Sequence, residues 1–198
     1  MLRSRNLDPP RPGGSQTVDH SGLTPVLKAL ANGGIARLAA LAPDLDAYVT
    51  HLGSVDPDRL SAPEAKAFWI NLYNALALDL ARRAAAGGAG TVLRMPGAFS
   101  RTAIEVEGEK LSLDGIEHGK IRRFGDPRIH SALVCGSLSC PTLRFEPFDA
   151  RVDEQLDEQM RSFLASGAAV EDRAGQSLHL SRVFLWYGAD FVKPHRMP

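Results

Sequence analysis

The segment "APEAKAFWINLYNALALDLARRAAA", residues 62–86, leaves the rest of the chain few ways to fold. Trp69, Leu72, Tyr73, Leu76 and Leu80 recur at three- and four-residue steps, the signature of a helix. Phe68, Ala75 and Leu78 extend its apolar surface almost all the way round. A helix apolar on nearly every side must be enclosed by other elements, which places this one at the centre of the fold. Ser61 with Glu64 three residues on fits a capping box, Pro63 suits an early helical position, and Gly87-Gly88 ends the helix. Asn71 and Asn74 share one face of it. Buried amides without partners cost about 1–3 kcal/mol each. These two therefore either pin neighbouring loops to the core or line a pocket and orient a catalytic group or substrate carbonyl.

Shorter elements surround this helix. Leu38, Leu41, Leu45, Tyr48, Val49 and Leu52 carry helical spacing, with a break at Asn32-Gly33-Gly34 that separates two short helices. Ile104 and Val106, then Glu107-Gly108-Glu109, then Leu111 and Leu113 read as a β-hairpin. "SLDGIEHGKIRRFG" is a short helix capped by Ser112 or Asp114, and its Lys120–Phe124 end carries three cations that read as a solvated helix end. "PRIHSALVC" is an apolar run expected as a buried strand. Val152, Leu156, Met160, Phe163 and Leu164 mark an amphipathic helix, and Leu178 and Leu180 alternate before a short aromatic helix or strand. The class that follows is α+β, with a central buried helix packed on a small, mainly antiparallel sheet and further helices around it. Residues 1–17, rich in Pro and Gly, read as a flexible leader, and 18–198 as a single domain.

Lys+Arg and Asp+Glu are equal at 23 each, so no global basic field exists to attract nucleic acid. No apolar stretch is long enough to span a membrane, and the basic N-terminus lacks the apolar core of a secretory signal. A cytoplasmic protein is the expectation, with a small-molecule or peptide substrate and no cofactor. Two cysteines are too few for a disulfide framework.

Both cysteines lie in "IHSALVCGSLSCPTLRF", residues 129–145, with His130 just upstream and His118 in the preceding helix. A thiol becomes a nucleophile when a neighbouring histidine or a helix N-terminus lowers its pKa from about 8.5. The histidine in turn needs an acceptor to fix its tautomer. Cys135, Cys140, His118, His130 and Glu117 supply such parts. Zinc binding, a Cys135–Cys140 disulfide and a plain buried strand are the competing readings. On an extended strand His130 and Cys135 would stand about 16 Å apart on opposite faces, which rules them out as partners. The remaining pairs are His130 with Cys140 across the "GSLS" turn and His118 with Cys135, the second on the steadier platform. Glu117 and His118 are neighbours on a helix and splay apart, which frees Glu117 to hold His130 or a backbone amide.

The blocks "VDHSGL" (18–23), "FWINLYNALAL" (68–78), "SLDGIEHGKIR" (112–122), "DPRIHSALVCGSLSCPTLRF" (126–145) and "VFLWYGADF" (183–191) together resemble the bacterial branch of domain-of-unknown-function family 547. That resemblance implies a likeness to papain-like and transglutaminase-like cysteine enzymes, with a Glu-His-Cys set as the catalytic group. It places the Glu-His pair on Glu117 and His118, the strand histidine on His130, the cysteines on Cys135 and Cys140, and the helix motif on Trp69, Asn71, Tyr73 and Asn74. Ser131 stands where the family usually has Phe, and His20 where it often has Tyr. The expected function is a cysteine hydrolase or acyltransferase acting on amide or thioester bonds of a peptide or glutathione-like molecule. The alternative is a non-catalytic binding or scaffold domain.

Overall fold

Helix α3, Ala62–Ala86, runs through the middle of the molecule, and every residue from Phe68 to Asp79 is buried. A computed structural model describes residues 7–89, 91–134 and 141–192. Around α3 pack α2 (Ala42–Gly53), α4 (Leu113–Gly119) and α5 (Val152–Phe163), while α1 (Thr24–Gly33) leans on α2. Ser61 occupies the cap position of α3, but its side chain makes no cap bond, so the expected capping box does not form. Glu64 instead turns into the protein, where its Oε2 has no hydrogen-bond partner among the described residues.

The strands form two separate antiparallel hairpins, in keeping with the α+β class. In the first, β1 (Ile104–Val106) pairs with β2 (Glu109–Leu111), and Val106 and Leu111 join the core around α3. Its turn needs positive φ at both central residues, met by Glu107 at 49° and Gly108 at 76°. In the second, β3 (Ala169–Asp172) pairs with β4 (Ser177–Leu180) and leads into α6 (Arg182–Trp186) and α7 (Gly188–Val192). Phe163, Ala168 and Val183 form a small second core beneath it.

Residues 7–17, expected as part of a flexible leader, lie against the fold. The Gly13, Gly14 and Gln16 amides donate to carbonyls of Asp58, Leu60 and Arg59, and Leu7 packs on the core. A Cβ at Gly14 would come within 1.7 Å of the Arg59 carbonyl oxygen, so only glycine permits this approach.

The described part of "PRIHSALVC" is not a strand. Pro127–Ser131 forms a short 3-10 helix instead. The reason is local competition for the backbone. The Asp126 carboxylate accepts the Arg128 amide at 3.0 Å, Pro127 presets the first turn, and the Ser131 hydroxyl donates back to the Arg128 carbonyl at 2.7 Å. Beyond it the Leu133 amide donates to the Ile129 carbonyl. A 3-10 helix advances only about 2.0 Å per residue. The strand argument that separated His130 from Cys135 therefore loses its premise.

Candidate functional site

Two buried pairs of side chains set the register between α3 and α4. Tyr73 donates its hydroxyl to Glu117 Oε2 at 3.2 Å, and the Lys120 ammonium lies 5.5 Å above the Trp69 ring. Tyr73 and Trp69 stand about one turn apart on α3, and Glu117 and Lys120 about one turn apart along α4 and its end. Ser112, rather than Asp114, caps α4 by accepting the Gly115 amide at 3.1 Å.

His130 lies beside the Tyr73–Glu117 pair. Its Nε2 is 2.8 Å from Asp190 Oδ2, and its ring stacks on Tyr187 with centroids 3.8 Å apart. Arg122 grips the same carboxylate through two hydrogen bonds, of 2.7 and 2.6 Å, and lies 3.1 Å from His118 Nδ1. Burial alone would raise the Asp190 pKa. The bonds from His130 and Arg122 outweigh it and hold the carboxyl well below the usual carboxylate range. Asp190 is thus an anion at any physiological pH, and an anion at Nε2 makes that ring nitrogen of His130 the donor. Burial pushes the His118 pKa down, opposed by the charge of Glu117 and assisted by that of Arg122. Burial and the charge of Glu117 together push both Tyr73 and Tyr187 up, so both phenols stay protonated.

Glu117 does not hold His130, as one expectation had it; Asp190 does. Among the described residues Glu117 Oε1 has no hydrogen-bond partner, and it stands 3.8 Å from His118 Nδ1, too far for a hydrogen bond. The cations of "KIRRF" do not form a solvated helix end either. Lys120 is buried against Glu109, and the half-buried Arg122 pairs with Asp190.

A cavity of about 50 Å³ opens among Tyr73, Glu117, His130, Leu133, Pro141 and Tyr187, with Val183 and Trp186 completing its wall. It has room for roughly one or two waters. His118 is not among the residues that line it. Cys135 and Cys140 lie outside the described residues. In sequence, Leu133 comes two residues before Cys135, and Pro141 directly follows Cys140.

The two asparagines anchor backbone on either side of that stretch. Asn71 exchanges two bonds with Phe148, donating to its carbonyl at 2.8 Å and accepting its amide at 2.9 Å. Asn74 donates to the Ala132 carbonyl at 2.9 Å and accepts the Val134 amide at 3.1 Å. Trp69 faces another cavity, beside Lys120.

Asp190, Arg122 and Tyr187 were not singled out in the sequence. The available signal was their place in the quoted blocks, Arg122 closing "SLDGIEHGKIR" and Tyr187 and Asp190 within "VFLWYGADF". Among the described residues, no cluster of three or more His, Cys, Asp or Glu side chains could hold a metal ion, and no helix is long and apolar enough to cross a membrane.

Residues 57–164, more than half of the chain, match the model of a family described as "Protein of unknown function, DUF547". The match takes in α3, α4, His130 and both cysteines, and ends before Tyr187 and Asp190. No curated protein and no solved structure matches the chain.

Proposed function

We propose, for a chain that belongs to the DUF547 family of proteins of unknown function, a thiol-dependent acyl transfer in which His130 is the base and Asp190 its positioning residue. The observation that carries this reading is the 2.8 Å bond from His130 to an anionic Asp190, at the wall of a cavity whose residues Leu133 and Pro141 bracket the cysteine stretch in sequence. His130 Nδ1 takes the thiol proton, and the thiolate adds to a substrate carbonyl. Collapse of the adduct breaks the amide or thioester bond, the leaving group takes the proton back from His130, and an acyl-thioester remains. Water or a second nucleophile, deprotonated by the same ring, then releases the acyl group. Helix α3 contains no cysteine, so the nucleophile in this reading comes from the 135–140 stretch. A peptide or glutathione-like substrate, and the likeness to papain-like and transglutaminase-like enzymes, belong to the same proposal.

Iodoacetamide labelling at pH 7 tests it, on the wild type and on Cys135→Ser, Cys140→Ser, His118→Ala and His130→Gln, each checked for folding by circular dichroism. One cysteine should label at least about tenfold faster than a free-thiol model compound. That excess should disappear in His130→Gln and persist in His118→Ala. Slow labelling of both cysteines, unchanged in His130→Gln, would overturn the proposal and select a non-catalytic binding or scaffold role. The burial of His130, 3 % exposed, and the engagement of Asn71 and Asn74 by backbone favour that second reading.

A further inference from the structure

Arg122 stands between the two histidines of the site. It lies in the short 3-10 helix Ile121–Phe124 that follows α4, and its side chain reaches back to His118. The guanidinium is held on three sides. Its Nε donates to Asp190 Oδ2 at 2.7 Å and one terminal nitrogen to Oδ1 at 2.6 Å. The other terminal nitrogen is 3.1 Å from His118 Nδ1. The guanidinium carbon lies 5.6 Å from the centre of the Tyr187 ring, which itself stacks on His130 at 3.8 Å. His130 Nε2 shares Asp190 Oδ2 with Arg122. The arginine fork therefore decides which carboxylate oxygen faces His130. His118 holds the end of the fork that Asp190 leaves free.

The tautomer of His118 follows from this partner. A guanidinium has donors only, so His118 Nδ1 must accept, and the neutral ring carries its proton on Nε2. Burial favours that neutral form. With one nitrogen accepting and the other protonated, the ring has no lone pair left to take a proton from a thiol. Nor does Glu117, its neighbour on α4, reach Nδ1 to compete with Arg122.

We infer that His118 is a positioning residue and not a base: its Nδ1 completes the hydrogen bonds of Arg122, and Arg122 holds Asp190 against His130. What His130 does rests on the thiol-dependent reading above; how its ring is held does not depend on the cysteines. Asp190 meets His130 directly, so losing His118 leaves the base in place and lets its hydrogen bond open more often.

Nitrogen-15 NMR of the full chain at pH 8 tests it. In the wild type, His118 Nδ1 should show the shift of an unprotonated ring nitrogen and Nε2 that of a protonated one. Solvent exchange of the His130 Nε2–H reports on its bond to Asp190. His118→Leu keeps the bulk, removes the acceptor and should speed that exchange about tenfold. Arg122→Lys should do the same, because one ammonium cannot reproduce the fork. His118→Asn offers a side-chain oxygen in place of Nδ1 and should stay within about twofold of the wild type. A protonated His118 Nδ1 would overturn the inference. So would unchanged exchange in His118→Leu, or an equal change in His118→Asn and His118→Leu, since the accepting atom would then not matter. Should a variant fail to fold, the wild-type shifts still decide the matter. Neither readout involves a thiol, so these failures are distinct from slow cysteine labelling, which overturns the reading of the reaction alone.

Discussion

His130 Nε2 and Asp190 Oδ2 meet at 2.8 Å although 60 residues separate them in the chain. Their contact joins the 3-10 helix after α4 to the C-terminal helix α7, and Arg122 completes it from the end of α4. The same contact fixes the tautomer of His130 and supplies the anion that neutralises Arg122.

Asp190→Asn should therefore be strongly destabilising, because it leaves the Arg122 guanidinium half-buried without its counter-charge. The expected loss is about 3 kcal/mol in urea unfolding at pH 7. The sign of the pH dependence follows from the depressed native pKa. Below about pH 5 the unfolded carboxyl takes up protons that the folded one refuses, so the contribution, full above that range, is lost as pH falls. The wild type should accordingly lose stability more steeply than Asp190→Asn between pH 5 and pH 2.

His20 offers a second pH-dependent element. Burial is the main cause that lowers its pKa from 6.5 to about 4, while nearby Asp19 acts in the opposite direction. Its Nδ1 is 2.7 Å from the Tyr48 hydroxyl, and its Nε2 has no partner among the described residues. Above pH 6.5 neither state binds the proton. As pH falls from there to 4, only the unfolded chain does, and about 3 kcal/mol of stability is lost. In His20→Asn, unfolding free energies at pH 7 and pH 4 should differ by correspondingly less.

Asn74→Ala should release two buried backbone groups at once, the Ala132 carbonyl and the Val134 amide. A loss of about 2–3 kcal/mol is expected. Hydrogen exchange should show the Val134 amide losing protection, while the Phe148 amide, held by Asn71, keeps it. Equal loss at both positions would mean that the two anchors act as one unit.

Tyr73→Phe removes one hydroxyl and keeps the ring. Glu117 Oε2 then loses its donor, at a cost of about 1–2 kcal/mol. A double-mutant cycle with Glu117→Gln should return a coupling of about 1 kcal/mol.

How far such contacts can be read in advance differs from residue to residue. The spacing of Trp69, Leu72, Leu76 and Leu80 was enough to enclose α3, because apolar burial on all sides is a property of the segment itself. The Glu107-Gly108 turn was legible for the same reason, since the backbone geometry it needs is set by adjacent residues. In "PRIHSALVC" apolar length does not tell a strand from a tight helix, and Pro127–Ser131 takes the 3-10 form. Asp126 and Ser131, bonding to their own neighbours, decided between them.

By itself, the sequence determined the central helix, the surrounding helices, the first hairpin and the blocks that mark the family. Periodicity, turn chemistry and motif spacing all act over a few residues. Only the tertiary structure decided that Asp190 rather than Glu117 holds His130, that Tyr73 takes Glu117, and that Lys120 lies over Trp69. A buried charge or donor finds its partner by proximity in a low-dielectric interior, and that proximity is set by the packing of elements far apart in the chain.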